Sequence, residues 1–235
     1  MKQAIFISII LLSSLTMNSQ TMKELLLKNK KETYQLDTTF GSIRIGYLFD
    51  KQFRSAAFIE SDSEQTYKLE IYKELNKNWN KVFEQDSIES SDPRLIIGDY
   101  NFDNRIDLTL MTDMSLGTSI IRIKLWLNEN DNEVFHYIPN FEKIGTPTVD
   151  SLNQKIYGFN ACCEFQEMSL NEYKWNNNNL VLIKRTDIET YNNKVRAVEK
   201  QFQSDNSELP IKETEIKLTL KDIHKLIKKY NKLKN

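Results

Sequence analysis

The chain has 235 residues, and 32 Lys and Arg against 33 Asp and Glu leave a formal net charge of −1. That balance gives no electrostatic footprint for nucleic acid, and the length can bury a real core in one all-β domain or two small ones. Glycine (6) and proline (4) are scarce, so asparagine, which tolerates positive φ, has to serve many of the turns.

The first stretch, MKQAIFISIILLSSLTMNSQ, has a charged start at Lys2, an apolar core over Ala4–Leu15 and a small, polar exit. The core is too short to span a bilayer and reads as a secretory signal peptide over residues 1–19, with cleavage after Ser19. No cysteine stands at the cut to carry a lipid. No later stretch is apolar enough for a transmembrane anchor, so residues 20–235 are read as a single β-rich domain, in the periplasm or outside the cell.

Period-2 patterns follow. Ile43, Ile45, Tyr47 and Phe49 alternate with other residues, as do Tyr67, Leu69 and Ile71, and Ile121, Ile123, Leu125 and Leu127. Such alternation predicts antiparallel sheet with one buried face. Glu172–Trp175, a turn over Asn176–Asn179 and Leu180–Lys184 predict a hairpin. A second follows, from Lys184–Thr190 through a turn at Tyr191–Lys194 to Val195–Phe202. Residues 204–210 read as a polar loop. The spacing of Leu220, Ile223, Ile227, Tyr230 and Leu233 predicts a terminal helix over 219–235, opened by a capping box at Thr219 and Asp222. Its other face carries Lys221, Lys225, Lys228, Lys229, Lys232 and Lys234. A lysine face of this kind is either solvated or turned toward an anionic membrane or cell wall. Together these patterns predict a mainly β fold, an antiparallel sandwich or a propeller-like module, ending in an α-helix.

The two cysteines, Cys162 and Cys163, are adjacent. A vicinal disulfide, two thiols and a bridge to another chain are the possible states in an oxidising compartment, and a vicinal disulfide or two buried thiols is expected rather than a bridge. With only His136 and His224 besides, they supply no second half for a Cys/His metal site.

The segment Gly98–Leu110, GDYNFDNRIDLTL, places Asp99, Asn101, Asp103 and Asp107 at positions 1, 3, 5 and 9 of a short loop between apolar runs. Oxygens at 1, 3 and 5 turn to one centre when the backbone curls around a cation, and position 7, here Arg105, gives a carbonyl. Ca²⁺ prefers such hard oxygens. Position 6 is commonly glycine and here is Asn104. Position 12 is Leu110 rather than glutamate, so Asp107 completes a strand-flanked version. The metal-free alternative is an Asx-rich turn held by its own backbone.

The run IIGDYNFDNRIDLTL resembles the calcium loops of FG-GAP-like repeats, as in integrin α-subunit propellers. The resemblance extends over 95–184 through LWLNENDNEVF, TPTVDSLNQKIY and the YKW…LVLI hairpin to small secreted bacterial proteins with a single such loop, and the leader ending NSQ is similar to those of Bacteroidetes. Members of that group include periplasmic lysozyme inhibitors and immunity proteins against peptidoglycan-degrading effectors. The resemblance therefore implies a calcium-stabilised, non-catalytic binding protein whose partner is a lysozyme-like peptidoglycan hydrolase. An inhibitory surface does not carry over, because no motif for one matches here. No G-x-S-x-G, H-E-x-x-H or Cys–His pairing is present, so no catalytic residue is assigned. The alternatives are a structural or adhesive envelope protein and a glycan hydrolase working through two carboxylates.

Overall fold

The computed structural model describes residues 33–38, 41–49, 52–61, 66–114, 120–129, 134–162, 165–192, 194–203 and 209–232. The segment 1–19 read as a signal peptide, Cys163 and most of the segment 204–210 read as a polar loop lie outside them. The described chain is mainly antiparallel β, in three sheets with one C-terminal helix. It groups into two compact units divided between Ile88 and Glu89, where the sequence reading takes 20–235 as one domain.

The first unit holds a five-stranded meander: β1 (Tyr34–Thr38), β2 (Gly41–Gly46), β3 (Ser55–Ser61), β4 (Thr66–Leu75) and β5 (Asn78–Glu89), in chain order across the sheet. The alternation in β4 does what the pattern demands, for Tyr67, Leu69 and Ile71 are all buried on one face. On the opposite face Phe58 meets Tyr72 edge-on with ring centres 5.8 Å apart, beside Ile45 and Ala56.

The second unit contains two sheets. One is four-stranded: β6 (Leu95–Gly98), β7 (Asp107–Met114), β8 (Ile121–Asn128) and β9 (Phe135–Ile138). The other is six-stranded: β10 (Thr148–Asp150), β11 (Lys155–Cys162), β12 (Glu167–Asn176), β13 (Asn179–Tyr191), β14 (Lys194–Gln201) and β15 (Lys212–Ile216). Both expected hairpins are present. Asn176 pairs with Asn179 around a turn in which Asn177 adopts φ 52°, and Tyr191 pairs with Lys194 with Asn192 at φ 48°. Asparagine thus takes the left-handed positions that glycine would otherwise fill.

The two sheets of this unit share a core. Met111, Ile123, Leu125, Leu127 and Ile138 from the four-stranded sheet pack with Ile156 of β11, and Tyr173, Trp175 and Leu180 close the edge. Each fully buried aliphatic side chain contributes about 1.5–3 kcal/mol. A backbone strap after the 3₁₀ turn Phe141–Lys143 stitches the sheets directly. The Gly145 carbonyl accepts from Phe159 N–H of β11 at 2.7 Å, and Thr146 N–H donates to the Ile121 carbonyl of β8 at 2.6 Å. The approach leaves no room for a side chain at Gly145: a Cβ there would stand 2.4 Å from the Phe159 carbonyl and 2.8 Å from Ile120 Cγ2.

Helix α1 (Leu220–Lys232) opens at the expected capping box, where Thr219 N–H and hydroxyl donate to Asp222 Oδ2 at 3.0 and 2.6 Å. Ile223 is buried with Phe159, Met168, Ile188 and Ala197, and Leu226 packs beside them. Lys221, Lys225 and Lys228 face solvent, so the apolar stripe is spent on the sheet and the lysines form the outer face.

Gly145→Ala should destabilise the protein by about 2–3 kcal/mol through the forced shift of the strap, and Thr219→Ala by about 1 kcal/mol through loss of the cap. Urea unfolding followed by circular dichroism measures both.

Candidate functional site

The acidic segment Asp99–Ile106 is the connection between β6 and β7, which close on the pairs Ile97–Leu108 and Gly98–Asp107. It is strand-flanked, as expected. Within it the backbone turns left-handed at Phe102 (φ 65°) and Asn104 (φ 67°). Asn104 therefore does take the sharp turn of position 6, a conformation asparagine reaches at lower cost than most residues. Side-chain oxygens hold the curl. Asp99 accepts from Phe102 N–H at 2.7 Å and from Asn104 N–H at 3.0 Å; Asn101 Oδ1 accepts from Asp103 N–H at 3.3 Å; Asp103 Oδ1 accepts from Arg105 N–H at 2.8 Å. This is a chain of Asx turns. The Arg105 guanidinium reaches Asp103 Oδ2 at 3.3 Å and the Glu129 carbonyl at 3.1 Å.

Asp107 differs from the other three in being fully buried, at 0% exposure. Its Oδ2 accepts from Tyr100 N–H at 2.7 Å and its Oδ1 from Asn128 N–H at 2.9 Å, which ties the start of the loop to the end of β8. Burial pushes its pKa up to about 6; the charges of Asp103 and Asp99 push the same way, against the two N–H bonds. Trp175 Nε1–H donates to the Tyr100 carbonyl at 2.7 Å, fastening the loop to β12. Beside Asp107, the Asn128 side-chain oxygen is buried with no hydrogen-bond partner among the described residues.

The donor set suits a hard cation in chemistry. It consists of carboxylate and amide oxygens, each carboxylate oxygen has a second lone pair to give, and the orphaned acceptor belongs to the residue whose N–H donates to Asp107. It is not drawn together as a finished cage: among the described residues no group of three or more His, Cys, Asp or Glu converges to hold a metal ion. The histidines stand apart. His136 is exposed on β9 with Nδ1 4.0 Å from Glu129, and His224 is exposed on α1. Cys162 is exposed at the end of β11.

A second feature escapes any linear reading. A polar cleft of about 870 Å³ lies over one face of the six-stranded sheet, with Asp113, Arg122 and Lys143 contributing from outside that sheet. Its floor is set by register. Asn171, Arg185, Lys200 and Glu213 are cross-strand neighbours in one row, and Ser169, Asp187 and Val198 in the next. Asp187 is shared by Arg185 and by Lys200, whose Nζ is 3.0 Å away. Arg185 also lies near Tyr173, whose hydroxyl is raised above the ordinary phenol range by burial, with the Arg185 charge acting the other way. In sequence the one trace of this floor is the alternation Arg185, Asp187, Glu189 along β13.

No protein-family model and no curated protein matches the chain. A solved structure described as a Xanthomonas type IV secretion system related protein is similar, at 12% identity and a TM-score of 0.46, covering 81% of this chain and 95% of that one. Likeness at that distance says nothing of activity or partners.

Asp107→Ala should destabilise the metal-free protein by about 2–4 kcal/mol, because two buried N–H groups lose their acceptor. Asp103→Ala, at an exposed position, should cost under about 1 kcal/mol. Denaturant unfolding in the presence of chelator compares the two.

Proposed function

We propose that the protein is an exported, non-catalytic binding protein of the cell envelope in which Ca²⁺ fixes one corner of the binding domain. The observation that carries this reading is the loop itself. Its Asx turns wrap the backbone as a cation loop requires, and its buried Asp107 is crowded by the charges of Asp99 and Asp103. Asp99, Asn101, Asp103, the Arg105 carbonyl and Asp107 would hold the ion, which would neutralise that crowding. Hydrogen bonds to the loop's own backbone and to Asn128 already occupy the side chains, an arrangement suited to a fixed corner rather than a reaction centre.

Export rests on the leader at residues 1–19. The partner class, a lysozyme-like peptidoglycan hydrolase, rests on the resemblance of 95–184 to secreted inhibitor and immunity proteins. On this reading the protein slows lysis of peptidoglycan by such an enzyme near a one-to-one ratio.

At ten times its dissociation constant Ca²⁺ should stabilise the fold by about 1.4 kcal/mol. Differential scanning calorimetry with Ca²⁺ and with chelator should show a melting temperature higher by a few degrees with the ion, and Asp103→Ala should abolish the rise. An equal melting temperature in both buffers removes calcium from the proposal. A turbidity assay over a panel of lysozymes and bacterial amidases tests the partner, and cleavage of glycan by the protein alone would overturn the non-catalytic reading.

A further inference from the structure

We propose that the polar cleft on the six-stranded sheet binds an acidic saccharide, a ligand rich in hydroxyls with a single carboxylate, and that Arg122, Lys143 and Arg185 hold the carboxylate. The inference stands on the cleft and not on the acidic loop, so the two can fail separately.

The size is right: about 870 Å³ lies within the range of small-molecule sites and leaves room for two or three sugar rings. The cations are placed for it. Arg122 extends from β8 and donates through Nη1 to the Glu142 carbonyl at 3.1 Å, inside the 3₁₀ turn that carries Lys143. Among the described residues neither Arg122 nor Lys143 meets a carboxylate within ion-pair distance. Lys143, Tyr173 and Arg185 line both this cleft and the adjoining one of about 670 Å³, so they stand where the two meet. Arg185 and Lys200 both pair with Asp187, and Glu213 is the cross-strand neighbour of Lys200, so Arg185 holds only a share of one carboxylate.

The rest of the lining decides what kind of anion fits. Five Lys and Arg side chains are matched by five Asp and Glu, and Ser169 and Asn171 lie buried among them. A polyanion such as nucleic acid, polyphosphate or an acidic peptide would bring its charges against those carboxylates. A sugar acid would not. Its one carboxylate takes Arg122 and Lys143, which meet no carboxylate among the described residues, together with Arg185, which shares Asp187; its hydroxyls donate to Asp187, Glu189 and Asn171, and the half-buried Tyr173 lines the same cleft. Charged acceptors and amides together are the groups that can bond a ring of hydroxyls, each of which is both donor and acceptor.

Isothermal titration calorimetry on the full mature chain tests this with a disaccharide ending in glucuronic acid, the same disaccharide ending in glucose, and polyglutamate. The acidic disaccharide should bind with a dissociation constant at or below about 1 mM, and the neutral one about tenfold more weakly or worse. Lys143→Gln and Arg185→Gln should each weaken the acidic disaccharide about tenfold, the loss expected for one charge-assisted bond. Lys143 is exposed, so its variant should melt at the wild-type temperature, and Lys225→Gln on α1 should bind as wild type. Equal binding of the neutral disaccharide, tighter binding of polyglutamate, unchanged binding by Lys143→Gln, or no heat at about 10 mM disaccharide would each overturn the proposal.

Discussion

Asp107 carries a carboxylate to a position with no exposure to water, and the second unit is arranged around keeping it there. The residue begins β7, yet its side chain serves the backbone of two other segments, Tyr100 in the loop and Asn128 at the end of β8. Without those two N–H groups a buried carboxylate would be prohibitively costly. With them the loop, the neighbouring strand and, through the Tyr100 carbonyl, Trp175 of β12 are fixed relative to one another. The pair of sheets in this unit is therefore joined by a polar contact at one corner, by the strap through Gly145 elsewhere, and by apolar packing between.

Much of this was legible in the sequence, and the reason is the periodicity of strands. Alternation at Tyr67, Leu69 and Ile71 and at Ile123, Leu125 and Leu127 maps directly onto buried faces, because a pleated strand turns successive side chains to opposite sides. The capping residues Thr219 and Asp222 and the asparagine turns at 176–179 and 191–194 act within a few residues of themselves, so local spacing sufficed. The spacing of Asp99, Asn101, Asp103 and Asp107 was equally local and gave the curl of the loop, including the left-handed Asn104.

What could not be read was whatever depends on cross-strand register. Arg185, Lys200 and Asn171 are far apart in the chain and become neighbours only once three strands are aligned. Ser169 and Asn171 are polar and yet buried, which no local pattern announces. The special role of Asp107 was hidden too: spacing sets it apart as the ninth-position residue at the mouth of the strand, and only the fold shows that it lies inside while the other three ring the turn. The division into two units was not read either: β5 runs through Ile88 without a proline or glycine, and the turn residues Ser90–Pro93 that follow look like any other strand connection.

In each of the three sheets every strand lies beside its neighbour in the chain, so the order across the sheet is the order of synthesis. Among the described strands no crossover has to be threaded and no distant strand has to arrive before a ladder can close. Loop-closure entropy is therefore met in small increments, one hairpin at a time, and the contact order stays low for an all-β chain. Each sheet can be assembled from its first hairpin outward as the polypeptide emerges. The last strand to join the six-stranded sheet, Lys-Glu-Thr-Glu-Ile over 212–216, presents four charged or polar side chains to solvent at the finished edge. A growing meander with a charged final strand has a built-in stop, which discourages the next copy of the chain from adding itself to the row.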